Sequence, residues 1–518
     1  MQRFLYVTVF ITGMTTLAVE FAASRLLGNY FGASNLVWAS IVGLILIYLT
    51  VGYFLGGRWA DRSPEYKTFF MVICWGSFAI GLVPVIARPV LAAAARAFDA
   101  LSIGAMAGSF IAVLILFSIP VTLLGTVSPF AIRLAISDPR SAGVTSGKIY
   151  AISTLGSFIG TFLPVLILIP LVGTYRTFMF FSLITLATAI VGFFITGQKK
   201  TAMLHIWMPL VILVLAIIGL PGNDKSTSGL VYETESAYNY IQVVQSGEYT
   251  YLKLNEGQGI HSIYHPTQVD YRGPWDMVVA APFFNQAPYD ISAVHRIAIV
   301  GLAAGTTARQ ATTVFGTEVM IDGIEIDPII VDVAKKYFDM NEPNLSVIME
   351  DGRWALAHSP DKYQIISVDA YRPPYIPWHL TTREFFQTAS DHLTDDGVLV
   401  VNVGRTPNDR RLVEAIYTTL RSVFPSAYVV DLPLTFNTII YATQQATHAD
   451  NLVANLGLLE SSGEAHPLLL RTMRTALENL QPEPEPSIVF TDDKAPIEGM
   501  TNAIVLDFFL SGQTDYIQ

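Results

Sequence analysis

His295-Arg296-Ile297-Ala298-Ile299-Val300-Gly301-Leu302-Ala303-Ala304-Gly305-Thr306 decides how the C-terminal part of this chain is read. An apolar run of strand length leads straight into a loop of small residues, and a helix-compatible segment follows. Gly301 and Gly305 permit close approach of the backbone to a ligand. The N-terminus of the following helix would add unpaired N–H groups and the positive end of a dipole. With only two glycines, the loop by itself reads equally well as an ordinary strand–helix turn.

The elements downstream tip that balance. Val319-Met320-Ile321-Asp322-Gly323-Ile324-Glu325-Ile326-Asp327-Pro328 is a second strand ending in acids. It follows the loop by about 20 residues, and a carboxylate there, best Glu325, can accept from both hydroxyls of a ribose. Pro328 opens a helix whose Ile329, Val333, Ala334 and Tyr337 recur at helical spacing. A third strand near 345–348 leads to Glu350-Asp351-Gly352-Arg353. Asp351 reads there either as acceptor for an adenine amino group or as the cap of the next helix. A fourth strand, Tyr363–Val368, ends in Asp369. Ligands of open α/β sheets collect at the carboxyl ends of the strands. Three acids at three successive strand ends therefore point to an adenosine-type ligand.

Upstream, Tyr240-Ile241-Gln242-Val243-Val244 and Tyr249-Thr250-Tyr251-Leu252-Lys253-Leu254 alternate as strands around Gly247. They predict a small β-rich lead-in over 228–290, ahead of a Rossmann-like domain over 291–518. His261 and His265 stand four apart, but Pro266 and the strand-like context argue against a metal pair, and no metal is expected. Cys74 is the sole cysteine, which excludes an intramolecular disulfide and any multi-cysteine metal site.

Further outward the composition inverts. The chain is 52% hydrophobic and 14% charged, with a mean hydropathy of +0.45, where soluble proteins carry about 25% charged residues. Residues 1–222 hold 13 Lys+Arg against 5 Asp+Glu, and the remainder 18 against 37. The acidic remainder argues against a nucleic-acid partner, whose phosphates need basic patches. A membrane span needs about 20 mostly apolar residues. Runs at roughly 4–27, 36–57, 68–88, 105–136, 148–170, 174–196 and 203–220 qualify, so 1–222 is expected to be an integral membrane domain of about seven spans. Pro120 and Pro129 are expected to break the fourth run into a span and a shorter piece. Gly56-Gly57-Arg58-Trp59-Ala60-Asp61-Arg62 fits a tight interhelical turn at the headgroup level. Glu20 and Arg25 read either as a polar site inside the bundle or as an interfacial acid and a snorkelling base. Gly147, Ser153, Gly156, Ser157 and Gly160 recur at helical spacing, as close helix packing requires. Residues 223–228 form a polar linker.

The loops on the N-terminal side hold nine Lys or Arg and the opposite side four. The positive-inside rule then puts the N-terminus in the cytoplasm and, across an odd number of spans, the C-terminal domain outside. A cytosolic supply of the adenosyl ligand argues the other way. The expectation is a plasma (inner) membrane protein with a cytoplasmic C-terminal domain, 89–104 hiding a partial span.

The stretch from about 228 to 445 resembles the spermidine synthase (polyamine aminopropyltransferase) family. The whole chain resembles membrane-fused spermidine-synthase-like proteins, which join a transporter-like helical block to that domain. The resemblance rests on Glu235-Ser236-Ala237-Tyr238-Asn239-Tyr240-Ile241-Gln242-Val243, Leu254-Asn255-Glu256-Gly257, Glu325-Ile326-Asp327, Asp351-Gly352, Val368-Asp369, Leu380-Thr381-Thr382-Arg383-Glu384-Phe385-Phe386 and the tail Thr491-Asp492-Asp493-Lys494-Ala495-Pro496-Ile497-Glu498.

The resemblance implies a polytopic helical membrane domain followed by a Rossmann-like domain of the S-adenosylmethionine-dependent methyltransferase type. It implies transfer of an aminopropyl group from decarboxylated S-adenosylmethionine, or intact S-adenosylmethionine as donor, to an amine or other small acceptor. Asp369 would be the catalytic base. Gly301, Gly305, Glu325, Asp351 and Gly352 would hold the donor, and Tyr238, Glu256 and Arg372 would line the acceptor side, Tyr238 chiefly by packing. Membrane lipid and a second copy of the chain are the macromolecular-scale partners expected. Two departures stand out. The loop acid that would bind the donor's amine is Ala304 here. A second acid, three residues beyond the catalytic one, is Arg372, which suits an anionic or neutral acceptor or a surface salt bridge. A methyltransferase, and a non-catalytic transporter with a degenerate ligand-sensing domain, are the alternatives.

Overall fold

A computed structural model describes residues 1–518 apart from 32–34, 102–104, 137, 220–226, 256–258, 371–375 and 511–518. The linker read at 223–228 falls largely outside the described residues, as do Glu256 and Arg372 and most of the loop that follows Asp369. The chain divides into two units. One comprises Met1–Ser226 with Thr234–Tyr240, the other Thr227–Glu233 with Ile241–Gln518.

The first unit is helical: α1 (Gln2–Phe31), α2 (Asn35–Arg62), α3 (Tyr66–Leu101), α4 (Ala105–Gly125), α5 (Val127–Ala135), α6 (Ala142–Leu163), α7 (Ile169–Ile195), α8 (Lys199–His205) and α9 (Trp207–Ile218). Six stretches of the described residues are long and apolar enough to cross a membrane: Gln2–Asn29, Val37–Arg62, Tyr66–Leu91, Gly108–Ala135, Ala142–Ile195 and Lys199–Ile218. The fifth holds 54 residues and folds back on itself. Ser157 of α6 donates to the Gly13 carbonyl (3.1 Å), while Thr185 of α7 hydrogen-bonds Thr15 (2.7 Å). One straight helix would separate residues 157 and 185 by about 42 Å. The reversal falls at Gly173, whose φ of +82° breaks the helical path.

Small residues let these helices meet. A Cβ on Gly156 would stand 2.0 Å from the Phe10 carbonyl oxygen, and one on Gly160 2.1 Å from that of Met14. Gly147 has open space around it and takes no part. Gly56 and Gly57 do not form the expected turn: α2 runs on to Arg62, and Gly56 packs against Thr126. Helical φ/ψ suits Gly56 where the neighbouring chain rewards the missing side chain, while Gly57 has open space around it. The fourth run is interrupted at Thr126 rather than at its prolines; α4 continues through Pro120. Arg25 is spent on backbone, donating to the carbonyls of Ser236 and Tyr238. Phe54, Leu171, Leu204 and Ile218 face outward and are among many exposed apolar side chains of this unit.

The second unit opens with a four-stranded sheet, β1 (Leu230–Glu235), β2 (Tyr240–Ser246), β3 (Tyr249–Leu254) and β4 (Ile260–Tyr264), in sequential order. Gly247 turns the β2–β3 hairpin with φ +61°. The larger sheet then builds from β5 (Arg296–Val300), α10 (Thr306–Phe315), β6 (Met320–Ile324), α11 (Pro328–Tyr337), β7 (Leu345–Ile348), α12 (Gly352–Ala357), β8 (Tyr363–Val368), α13 (Arg383–Asp391), β9 (Leu393–Gly404), α14 (Arg411–Arg421), β10 (Ser426–Asp431) and β11 (Asn437–Thr443). Its order is β10-β11-β9-β8-β5-β6-β7. Strands β5 to β9 are parallel, and β11 pairs antiparallel with both β9 and β10. The order reverses at β5, the switch point where ligands of such sheets bind.

Side chains alternate across the sheet with period two. Ile297, Ile299, Ile365, Val398 and Val400 join one core, and Ala298, Val300, Ile366, Leu399 and Val401 the other. Helices cover both faces, which explains why these strands read as unbroken apolar runs.

Candidate active site

The loop after β5 is shaped by two glycines and one strained alanine. Gly301 has φ +94° and Gly305 +82°, and Ala303 also has a positive φ, +48°. A Cβ on Gly301 would lie 2.6 Å from the carbonyl oxygen of Asp369. The loop therefore lies directly against the end of β8. The lead-in sheet holds it from the other side: Ala304 donates its N–H to the Ser262 hydroxyl (2.9 Å), and Thr306 exchanges hydrogen bonds with both backbone groups of Ile263 (2.9 Å each).

Glu325, at the end of β6, is buried. Its carboxylate accepts from the N–H of Ala303 (2.9 Å) and of Asp327 (3.1 Å). Burial pushes its carboxyl up to about 7, against the opposing pull of those two donors. The carboxylate keeps acceptor capacity beyond its backbone donors for a hydroxyl.

Asp351 takes the capping role, one of its two sequence readings. Its Oδ1 caps α12, accepting from the N–H groups of Arg353 and Trp354 at 3.0 Å each. Its Oδ2 lies 3.0 Å from His379 Nε2. Gly352 packs against Val300: a Cβ there would stand 2.5 Å from that side chain.

Asp369 follows β8 directly and donates its N–H to the Val300 carbonyl (2.9 Å). Its Oδ1 accepts from Asn402 Nδ2 (2.9 Å). Burial pushes its carboxyl up to about 6, and the Asn402 bond opposes that shift. The parallel register Val368↔Val401 carries Asp369 alongside Asn402. The Asn402 Oδ1 is buried with no partner among the described residues.

The strand tips thus bring together Gly301, Gly305, Glu325, Asp351, Gly352 and Asp369. Tyr238 groups instead with the helical unit, in the turn between β1 and β2. Ser262 and Asn402 were missed from sequence. A lone polar residue ending the apolar run Val398-Leu399-Val400-Val401 was the one legible signal for Asn402. His265 is structural: its Nδ1 accepts from the N–H groups of Thr267 and Gln268. Burial lowers the His261 imidazole to about 4. Among the described residues no cluster of three or more His, Cys, Asp or Glu could hold a metal ion.

The sheet order and acid-tipped loops define a Rossmann-like nucleotide fold of the methyltransferase type. Residues 284–453 match the family model described as the spermine/spermidine synthase domain. The likeness to that family lies in the C-terminal half of this chain, which spans 62% of the length of the first curated relative it matches.

The chain is 32% identical over 286 residues to a probable polyamine aminopropyl transferase of Bifidobacterium longum, covering 52% of this chain and 62% of that protein. It is 29% identical over 219 residues to a polyamine aminopropyltransferase of Vibrio vulnificus, covering 40% and 69%. A crystal structure of a probable spermidine synthase from Corynebacterium glutamicum aligns at 18% identity and a TM-score of 0.39, over 52% of this chain and 99% of that one.

Proposed function

We propose that the chain is a membrane-embedded aminopropyltransferase-type enzyme acting on an adenosyl sulfonium donor and a small amine acceptor. The observation that carries this reading is Asp369, its backbone against the Gly301 loop and its half-buried carboxyl held by Asn402, with Glu325 and Asp351 on the neighbouring strand tips. The fit to an adenosyl group rests on this chain's own atoms. Positive-φ glycines let the loop turn tightly against the end of β8, Glu325 retains acceptor capacity for a ribose hydroxyl, and Asp351 stands on the neighbouring strand tip as the candidate acceptor for adenine.

A sulfonium donor supplies an electrophilic methylene carbon. An acceptor amine attacks it only as the free base, and Asp369 is placed to take the proton. The nitrogen lone pair forms the N–C bond as the C–S bond breaks. The sulfur leaves with that electron pair as a neutral thioether, methylthioadenosine when the donor is decarboxylated. A carboxyl near 6 is ionised at neutral pH yet remains basic enough to accept a proton. Asn402 holds its orientation.

Methyl transfer from intact S-adenosylmethionine is the second reading. It is favoured by Ala304, which offers a backbone N–H, already given to Ser262, and no carboxylate to repel the donor's own. Full-length protein in nanodiscs, incubated with either donor and a panel of diamines, separates the readings by product mass. Methylthioadenosine marks aminopropyl transfer, and S-adenosylhomocysteine marks methyl transfer. Formation of neither, with no donor binding, overturns both.

The membrane placement is supported by six apolar stretches and by the apolar side chains that the helical unit turns outward. Cytosolic supply of an adenosyl sulfonium supports a cytoplasmic C-terminal domain. A reporter fused after Gln518 tests this, and an extracytoplasmic signal overturns it.

A further inference from the structure

The tail segment around Phe490–Lys494 is stitched onto the donor side of the sheet. Arg353 reaches Asp492 with two parallel bonds, Nη1 to Oδ1 and Nη2 to Oδ2, both 2.7 Å. Asp492 Oδ1 also accepts from the Thr382 hydroxyl (2.7 Å), and the Asp492 N–H donates to Glu384 (3.0 Å). Arg383 donates its N–H to the Phe490 carbonyl (2.8 Å). The Phe490 ring is fully buried beneath.

Arg353 also meets Asp351, through its backbone. It is the second residue of α12, and its N–H is one of the two that Asp351 caps. Its Nη1 lies 3.4 Å from the His379 carbonyl, while the His379 ring contacts Asp351 Oδ2. Asp351, Arg353, His379, Thr382 and Asp492 therefore form one connected network. An exposed ion pair is ordinarily worth little, but a bidentate Arg–carboxylate pair in such a network fixes geometry. Arg353 holds the Asp492 carboxyl below the usual carboxylate range, so the pair stays ionised at neutral pH.

We propose that Asp492 is a positioning residue for the adenine end of the donor site, acting through Arg353 and His379 on Asp351. The inference rests on the adenosyl-donor reading above. The tail comes from the far end of the chain and carries no group to the strand tips itself. It sets the direction of the Asp351 Oδ2 lone pairs, and with it the discrimination of the adenine edge from other bases.

The test uses the full-length chain in nanodiscs and calorimetric titration with methylthioadenosine, which has adenine and ribose but no aminopropyl group. Asp492→Asn is expected to weaken methylthioadenosine about tenfold, Asp492→Glu less, and Thr382→Val about threefold. The acceptor KM stays within about twofold in all three, because the acceptor does not meet this network. Parallel loss of donor and acceptor affinity, or unchanged methylthioadenosine binding, overturns the proposal. If Asp492→Asn fails to fold, Thr382→Val decides alone. Wild-type protein that binds no methylthioadenosine at all would sink the donor reading instead, a distinct result.

Discussion

Asn402 donates its side-chain N–H to Asp369 across 2.9 Å and keeps its own carbonyl oxygen buried and unpartnered among the described residues. The pair joins the ends of β8 and β9. It gives Asp369 one fixed donor in a site where burial otherwise disfavours its charge. Removing that donor should raise the Asp369 carboxyl further. Asn402→Ala is expected to move the acid limb of the kcat–pH profile to higher pH, read in steady-state assays from pH 5 to 8. An unmoved limb would separate Asp369 from the proton transfer.

Asp369→Asn should abolish turnover by about 10²–10⁴-fold while leaving methylthioadenosine affinity nearly intact. It should also stabilise the fold. A carboxyl raised from 3.8 to about 6 binds its proton more tightly when folded. Its favourable contribution is complete below the unfolded value and lost as pH rises through the folded one. At pH 8 wild type therefore carries a buried charge that asparagine lacks. A rise in the thermal midpoint of about 2–4 °C at pH 8, vanishing near pH 4, is the expected signature.

Donor affinity should fall as pH drops through about 7, where Glu325 takes up a proton. The ionised carboxylate accepts from two hydroxyls and the neutral acid loses acceptor capacity. Glu325→Gln should bind methylthioadenosine more weakly and independently of pH between 6 and 8. A pH slope that persists in this variant would assign the titration elsewhere.

Gly301→Ala and Gly305→Ala should differ. The first drives a methyl into the Asp369 backbone, and the second into the Met340 side chain, which can turn aside. Both face the penalty of a positive φ. Gly301→Ala should cost about 1–3 kcal/mol and eliminate donor binding, while Gly305→Ala costs less. Denaturant melts and titration calorimetry rank them.

In the helical unit, Gly156→Ala should reduce the yield of detergent-stable monodisperse protein, because the new methyl meets the Phe10 carbonyl of α1. Gly147→Ala, in open space, should be silent. Size-exclusion profiles of the two variants check this, and equal behaviour would contradict the packing of α1 on α6.

The sequence by itself marked several elements whose signal is local, and left β9 to β11 and the helices around them unread. Period-two and unbroken apolar runs marked β2, β3, β5, β7 and β8 close to their observed bounds. Pro328 opened α11, and the long apolar stretches announced the helical unit. Acids at the ends of β6, β7 and β8 were legible because a strand's end is a local event. Pairing between strands distant in the chain is not local, so register and order were decided only by the tertiary structure. That pairing set Asn402 beside Asp369, brought Asp492 to Arg353, and inserted β11 antiparallel between β9 and β10. Packing likewise drew Gly56 into α2 and gave Arg25 to two carbonyls, since only a neighbouring surface reveals what a small or charged side chain meets.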